Sequence, residues 1–109
     1  MTNINAQETA ATTLYQLGGH RFVAMTGAKD FGHNPDGSLQ FRIGRNATSA
    51  NRVKITLDRN DTYTVVFTKI SFSKKTFETK EKVINEIAGI YSPQLKTHFE
   101  NVTGLYTSL

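Results

Sequence analysis

Two short segments in the middle of the chain alternate strictly between apolar and polar residues. Residues 39–43 and 52–57 both show this period of two, which is typical of strands that bury one face. Their apolar positions predict a common core face made of Leu39, Phe41, Ile43, Val53, Ile55 and Leu57. Because Arg42, Arg52 and Lys54 occupy the intervening positions, the alternation predicts a sheet with one basic surface.

The segments on either side of these strands show both helical and strand-like spacing. Apolar residues recur at helical intervals over residues 6–17, with Asn5 as the predicted cap and a glycine pair after the last turn. Two more strands are predicted at 21–25 and 62–72. The longer one carries apolar residues on both faces, which a bulge near Thr68 or a central place in the sheet would explain.

Turn and capping residues divide the rest of the chain. Residues 34–37 combine a proline and a glycine in the order that a β-turn favours. Helices are predicted at residues 80–88 and from Ser92 to a stop at Gly104, while residues 26–33 are predicted to be irregular.

These elements predict one α+β domain covering residues 1–109. Its expected architecture is a four-stranded antiparallel meander with an N-terminal helix and two short C-terminal helices on the apolar face. The length of 109 residues and a composition of 38% hydrophobic and 20% charged residues suit such a domain.

Charge and cysteine content narrow the classes of function. The formal net charge of +4 favours polyanionic partners. The absence of cysteine rules out disulfides and thiolate metal sites. The chain also shows neither a signal-peptide pattern nor a long apolar run, so we expect a cytoplasmic protein that does not enter membranes.

Candidate catalytic groups are scattered. His20, His33 and His98 lack the spacing of paired metal ligands, and no serine lies in a nucleophile elbow. We therefore expect no enzymatic activity, metal or other cofactor. Two alternatives remain open: a small active site in the 26–33 loop, and a phosphate cradle at 25–29, where a glycine and a lysine follow a predicted strand but the full P-loop pattern is missing.

A cluster of basic residues is the strongest functional signal. It comprises Arg42, Arg45, Arg52, Lys54, Lys69, Lys74 and Lys75, interleaved with Tyr63, Phe67, Phe72 and Phe77. Cationic grooves with aromatic rings bind single-stranded nucleic acid. The pattern therefore predicts nucleic-acid binding, mainly through phosphates, with base stacking if Tyr63 or Phe67 shares the open face with Lys54. The alternatives are a solvated lysine surface over an aromatic core, and docking onto an acidic protein.

Two sequence segments carry a resemblance to a known group of proteins. Residues 17–31 read LGGHRFVAMTGAKDF, residues 103–109 read TGLYTSL, and the strand at 53–57 also fits. The chain thereby resembles small, mostly uncharacterised proteins of bacteriophages and other mobile elements. The resemblance implies a bacterial cytoplasmic setting and an accessory role, such as nucleic-acid handling or inhibition of a host nuclease or defence complex of the anti-CRISPR or antirestriction type.

Overall fold

Five antiparallel strands form one sheet in which each strand lies beside its neighbour in sequence. The computed structural model describes residues 4–44, 48, 50–58 and 60–105, and side chains from residue 7 onwards. The elements in chain order are α1 (Ile4–Leu17), α2 (His20–Thr26), β1 (Lys29–His33), β2 (Leu39–Arg42), β3 (Arg52–Leu57), β4 (Tyr63–Ser73), β5 (Glu78–Ile90), a 3₁₀ turn (Ser92–Gln94) and α3 (Leu95–Thr103). The predicted α+β class and antiparallel meander are confirmed, but the sheet has five strands instead of four.

The core lies on the face of the sheet that the alternating strands predicted to be apolar. Five of the six predicted core residues are buried, and Leu57 is half-buried against them. Phe22 of α2 and Phe99 of α3 complete this layer, since their rings lie 5.0 Å apart and both contact Phe41. The helices thus cover one face of the sheet and leave the other face open.

The predicted strand at residues 21–25 is wrong, because this segment forms helix α2. Phe22 and Thr26 are its buried residues, and their spacing of four is helical. Gly19 and Gly27 bound the helix with φ of 59° and 70°, values at which glycine avoids the strain of a Cβ atom. The first helix was predicted correctly but begins at Ile4, so Asn5 does not precede it.

Residues 29–33 were predicted to be irregular but form the edge strand β1. The pairing of Lys29 with Arg42 and of Gly32 with Gln40 leaves one extra residue on β1. This bulge contains Asp30, which has a φ of 58°. A bulge breaks the simple alternation of a strand, which explains why the pattern in the sequence did not reveal β1.

The predicted helix at 80–88 is also wrong, because these residues belong to β5, a strand of 13 residues. Its apolar residues include the β-branched Val83, Ile84 and Ile87, which favour strands. The register with β4 shifts between Phe67 and Thr68, close to the predicted position. However, the extra residue is Ile84 of β5, and the alternation of β4 continues without interruption.

β4 and β5 continue beyond the sheet as a two-stranded ribbon. β3 pairs with β4 only as far as Thr68, whereas β5 pairs with it up to Ser73. The side chain of Asn51 is hydrogen-bonded to β4 at the point where the ribbon extends beyond β3. Its side-chain amide donates to the carbonyl oxygen of Ile70 at 2.7 Å and accepts from the Ile70 N–H at 2.9 Å. The side chain therefore extends the hydrogen-bond ladder past the end of β3.

We expect Asn51→Ala to lower the free energy of unfolding by about 1–2 kcal/mol, because two hydrogen bonds to Ile70 are lost. Asn51→Asp should lower it at least as much at neutral pH, since a carboxylate cannot donate to the Ile70 carbonyl. Urea denaturation measures both effects. Asn101→Ala, at an exposed position of α3, serves as the control and should leave the stability nearly unchanged. Equal stabilities of Asn51→Ala and the control would contradict the proposed ladder.

Candidate nucleic-acid interface

Three cationic side chains form a row across the open face of the sheet. Lys29 pairs with Arg42, and Arg42 pairs with Arg52, so the three residues lie side by side on β1, β2 and β3. Paired residues point to the same face, and adjacent strands lie about 4.8 Å apart. We call Lys29, Arg42 and Arg52 the cationic row. Lys54 lies on the same face, one row further along, between Gln40 and Val66.

The charges of the cationic row are only partly compensated. Arg42 forms an ion pair with Asp30 at 3.2 Å, but both side chains are more than half exposed, at 53% and 57%. Such exposed pairs stabilise a fold by at most about 1 kcal/mol. Among the described residues, no carboxylate forms an ion pair with Arg52 or Lys29. The row therefore presents unneutralised positive charge to solvent.

Lys54 lies near the carboxylate of Asp36, which is hydrogen-bonded to Ser38. The pKa of Asp36 is held below its usual value of 3.8, chiefly by hydrogen bonds from Ser38 and to a lesser extent by the charge of Lys54. One carboxylate oxygen of Asp36 accepts the Ser38 N–H at 2.9 Å. Asp36 thus organises the turn before β2, as expected for a turn aspartate.

The seven predicted basic residues do not form one surface. Arg42, Arg52 and Lys54 lie together on the open face, whereas Lys69 points to the helix side of β4, and Lys74 and Lys75 lie in the turn at the tip of the ribbon. Arg45 lies outside the described residues. Lys29 was predicted only as part of the phosphate cradle at 25–29, and its place on the open face was not predicted because the bulge in β1 conceals the strand.

A second group of lysines lies on the ribbon, on the side of the sheet that carries the helices. Lys69 of β4 pairs directly with Lys82 of β5, and Lys80 lies two residues further along β5 on the same face. Like charges placed opposite each other destabilise a pair of strands. An anion bound beside this basic ladder would reduce that repulsion.

The aromatic residues separate into a buried pair and an exposed pair. Tyr63 and Phe67 are 3% and 0% exposed and belong to the core, so neither shares the open face with Lys54. Base stacking by these two rings is therefore excluded. Phe72 and Phe77, in contrast, are 58% and 79% exposed, and both lie in the ribbon.

The segment 25–29 does not form a phosphate cradle. The Gly27 N–H donates to the carbonyl oxygen of Val23 at 2.9 Å, and the Ala28 N–H donates to the Thr26 hydroxyl at 3.2 Å. Because both amides are satisfied within the end of α2, they are not aimed at a ligand. The structure thus supports the alternative of a tight turn, and Lys29 contributes to the cationic row instead.

The histidines do not assemble a catalytic centre in the part of the chain that the structure describes. His33 borders a groove of about 160 Å³ that is otherwise lined by Gln7, Gly32 and apolar residues, including Phe31 and Leu39, and no carboxylate lines it. Nor do the described residues contain a group of three or more acidic or histidine side chains that could hold a metal ion. In the same residues, no helix is long and apolar enough to cross a membrane.

His98 is instead part of the packing between α3 and the sheet. Its ring lies 5.9 Å from that of Phe67, and its Nε2 atom is buried without a hydrogen-bond partner among the described residues. Burial lowers the pKa of His98 below its ordinary value of 6.5, since a protonated ring would lose solvation there.

This burial predicts a pH-dependent contribution to stability. As the pH falls through 6.5, the unfolded chain binds a proton at His98 that the folded protein does not, so stability decreases towards acid. We expect the loss between neutral pH and about pH 5 to be smaller for His98→Leu than for the wild type. His20→Gln, at an exposed position of α2, is the control and should retain the wild-type loss. Parallel profiles for the wild type and His98→Leu, measured by urea denaturation, would contradict this assignment.

The chain was also compared with known proteins. It has no significant match to a protein-family model, to a curated protein or to a solved structure.

Proposed function

We propose that this protein binds nucleic acid through the open face of its sheet, without catalysing a reaction. The observation that carries the proposal is the cationic row, in which three strands hold Lys29, Arg42 and Arg52 in register on a face that none of the described helices covers. The pairing of β1, β2 and β3 fixes the spacing of these side chains before a ligand arrives. Such preorganisation reduces the entropy lost on binding.

The chemistry of the row suits phosphate groups. An arginine guanidinium presents a planar set of donors that can hold two phosphate oxygens at once, and a lysine ammonium adds a compact charge. From Lys29 to Arg52 the row spans two strand spacings, or about 10 Å. A polyanion lying across β1 to β3 would contact all three cations and relieve their mutual repulsion. The ion pair with Asp30 orients Arg42 and leaves the other two cations available.

The resemblance to small proteins of bacteriophages and mobile elements supports a bacterial host as the setting for this proposed activity. It favours an accessory protein that acts on nucleic acid in the cytoplasm of a bacterial host. The net charge of +4 agrees with such a role, because it attracts polyanions at a distance as well as at the binding surface.

A second candidate function is binding to an acidic host protein, such as a nuclease or a defence complex. The observation that favours it is the partial exposure of two apolar residues of β5, Val83 on the open face at 54% and Ile87 on the core face at 42%. Exposed apolar side chains occur at the centres of protein interfaces. Against a strand-to-strand interface, β5 carries several charged residues and two register shifts, both of which discourage pairing at a sheet edge.

The salt dependence of binding tests the proposed function. We expect fluorescence anisotropy to show binding to DNA or RNA oligonucleotides that weakens steeply between about 50 and 200 mM salt. For Arg52→Ala, the slope of log K against log salt should become shallower by about 0.7–0.9, as expected for one lost phosphate contact. Arg21→Ala is the matched control, because it removes the same charge from an exposed position of α2 in the helix layer.

Two outcomes would count against nucleic-acid binding. One is a wild-type protein that binds none of the single- or double-stranded probes at low salt. The other is an Arg52→Ala variant whose salt slope equals that of Arg21→Ala, which would show that net charge alone matters. A protein partner captured from a bacterial lysate that persists after nuclease treatment would favour the second candidate function.

A further inference from the structure

The tip of the β4–β5 ribbon exposes two aromatic rings in contact with each other. The ring centroids of Phe72 and Phe77 are 6.3 Å apart, with an angle of 64° between the ring planes. Both rings lie outside the hydrophobic core, in the part of the ribbon that only two strands build. The two side chains therefore contribute little to the packing that holds the sheet and helices together.

The backbone at Phe77 is unusual for a bulky residue. Its φ is 56°, in the left-handed region that glycine occupies without strain. The turn that requires this conformation is closed by a hydrogen bond from the Phe77 N–H to the carbonyl oxygen of Ser73 at 2.7 Å. A glycine would suit this position better, and the phenyl ring is 79% exposed. Strained positions that persist without a packing role point to function.

The position of the ring pair connects it with the cationic row. Thr68, Ile70 and Phe72 follow one another on the same face of β4, and Thr68 is the register partner of Arg52. Phe72 lies four positions after Thr68, a distance of about 13 Å along the strand. Lys74 and Lys75 lie in the same turn as Phe77. Positive charge thus lies at the tip of the ribbon and at its base, while Glu81, the register partner of Ile70, lies on the same face between them.

We infer that the ligand is single-stranded nucleic acid, and that Phe72 and Phe77 stack on its unpaired bases while the cationic row holds its phosphates. This inference rests on the proposed function and names the class of nucleic acid. In a duplex the faces of the bases are already stacked on each other, so exposed rings gain contacts only with unpaired bases. The lysines of the turn provide the charge complementarity that distinguishes this occupant from an uncharged apolar partner.

Substitutions that remove the rings test the inference. Phe72→Leu and Phe77→Leu keep an apolar side chain, and each should weaken binding to an oligothymidylate by about 5- to 150-fold, the range measured for the loss of one stacked base. Binding to a duplex should not change. The salt slope should also stay that of the wild type, because no phosphate contact is removed. Tyr15→Leu, which removes an exposed aromatic ring from α1 in the helix layer, is the control and should bind like the wild type.

Phe77→Gly distinguishes weaker binding caused by loss of the ring from weaker binding caused by loss of folding. Glycine removes the ring and also accepts the left-handed backbone, so the variant should be at least as stable as the wild type while binding the oligothymidylate more weakly. If wild-type protein binds single strands and duplexes, and Phe77→Gly binds both equally well, the inference is wrong while the proposed function stands. If the wild type binds neither probe, both fail. Self-association in sedimentation that Phe77→Gly abolishes would assign the rings to a second copy and overturn the inference.

Discussion

A cluster of four buried phenylalanines is the constraint on which the rest of this structure depends. Phe22, Phe41, Phe67 and Phe99 come from α2, β2, β4 and α3, and their rings meet edge-on or tilted at centroid distances of 5.0 to 6.3 Å. Such contacts add to the free energy of burying the rings themselves. Because the cluster joins both helices to one face of the sheet, it also determines which face remains open for the cationic side chains.

Local sequence patterns were sufficient to predict the elements that carry their own signal, such as an alternating strand or a turn with proline and glycine. The bounds of β3 follow from its strict alternation, and the turn before β2 follows from its proline and glycine. Helix α2 was mistaken for a strand because its seven residues are too few to show a clear period. β5 was mistaken for a helix because its register shifts place apolar residues at helical intervals. Only its pairing with β4 shows that the segment is a strand. These errors arise where a contact distant in sequence overrides the local pattern.

The distinction between local patterns and contacts distant in sequence also applies to the candidate interface. Arg42, Arg52 and Lys54 were placed on one face correctly, since alternation alone assigns the face of a residue within a strand. Their alignment with Lys29 depends on the register between strands, and no single segment of the sequence contains that information. Tyr63 and Phe67 could not be assigned to the core from sequence, because both faces of β4 carry apolar residues.

The two faces of the sheet differ in the contacts that their side chains make. On the core face, apolar side chains pack against one another and against the helices, and this face stabilises the fold. On the open face, Lys29, Arg42 and Arg52 lie side by side, and Asp30 is the one described ion-pair partner of the three. On the helix side of the ribbon, Lys69 lies opposite Lys82. Like charges in register oppose folding, so the burial of the phenylalanine cluster must offset their repulsion. A polyanion bound at the cationic row would reduce the repulsion there, so its binding would also stabilise the fold.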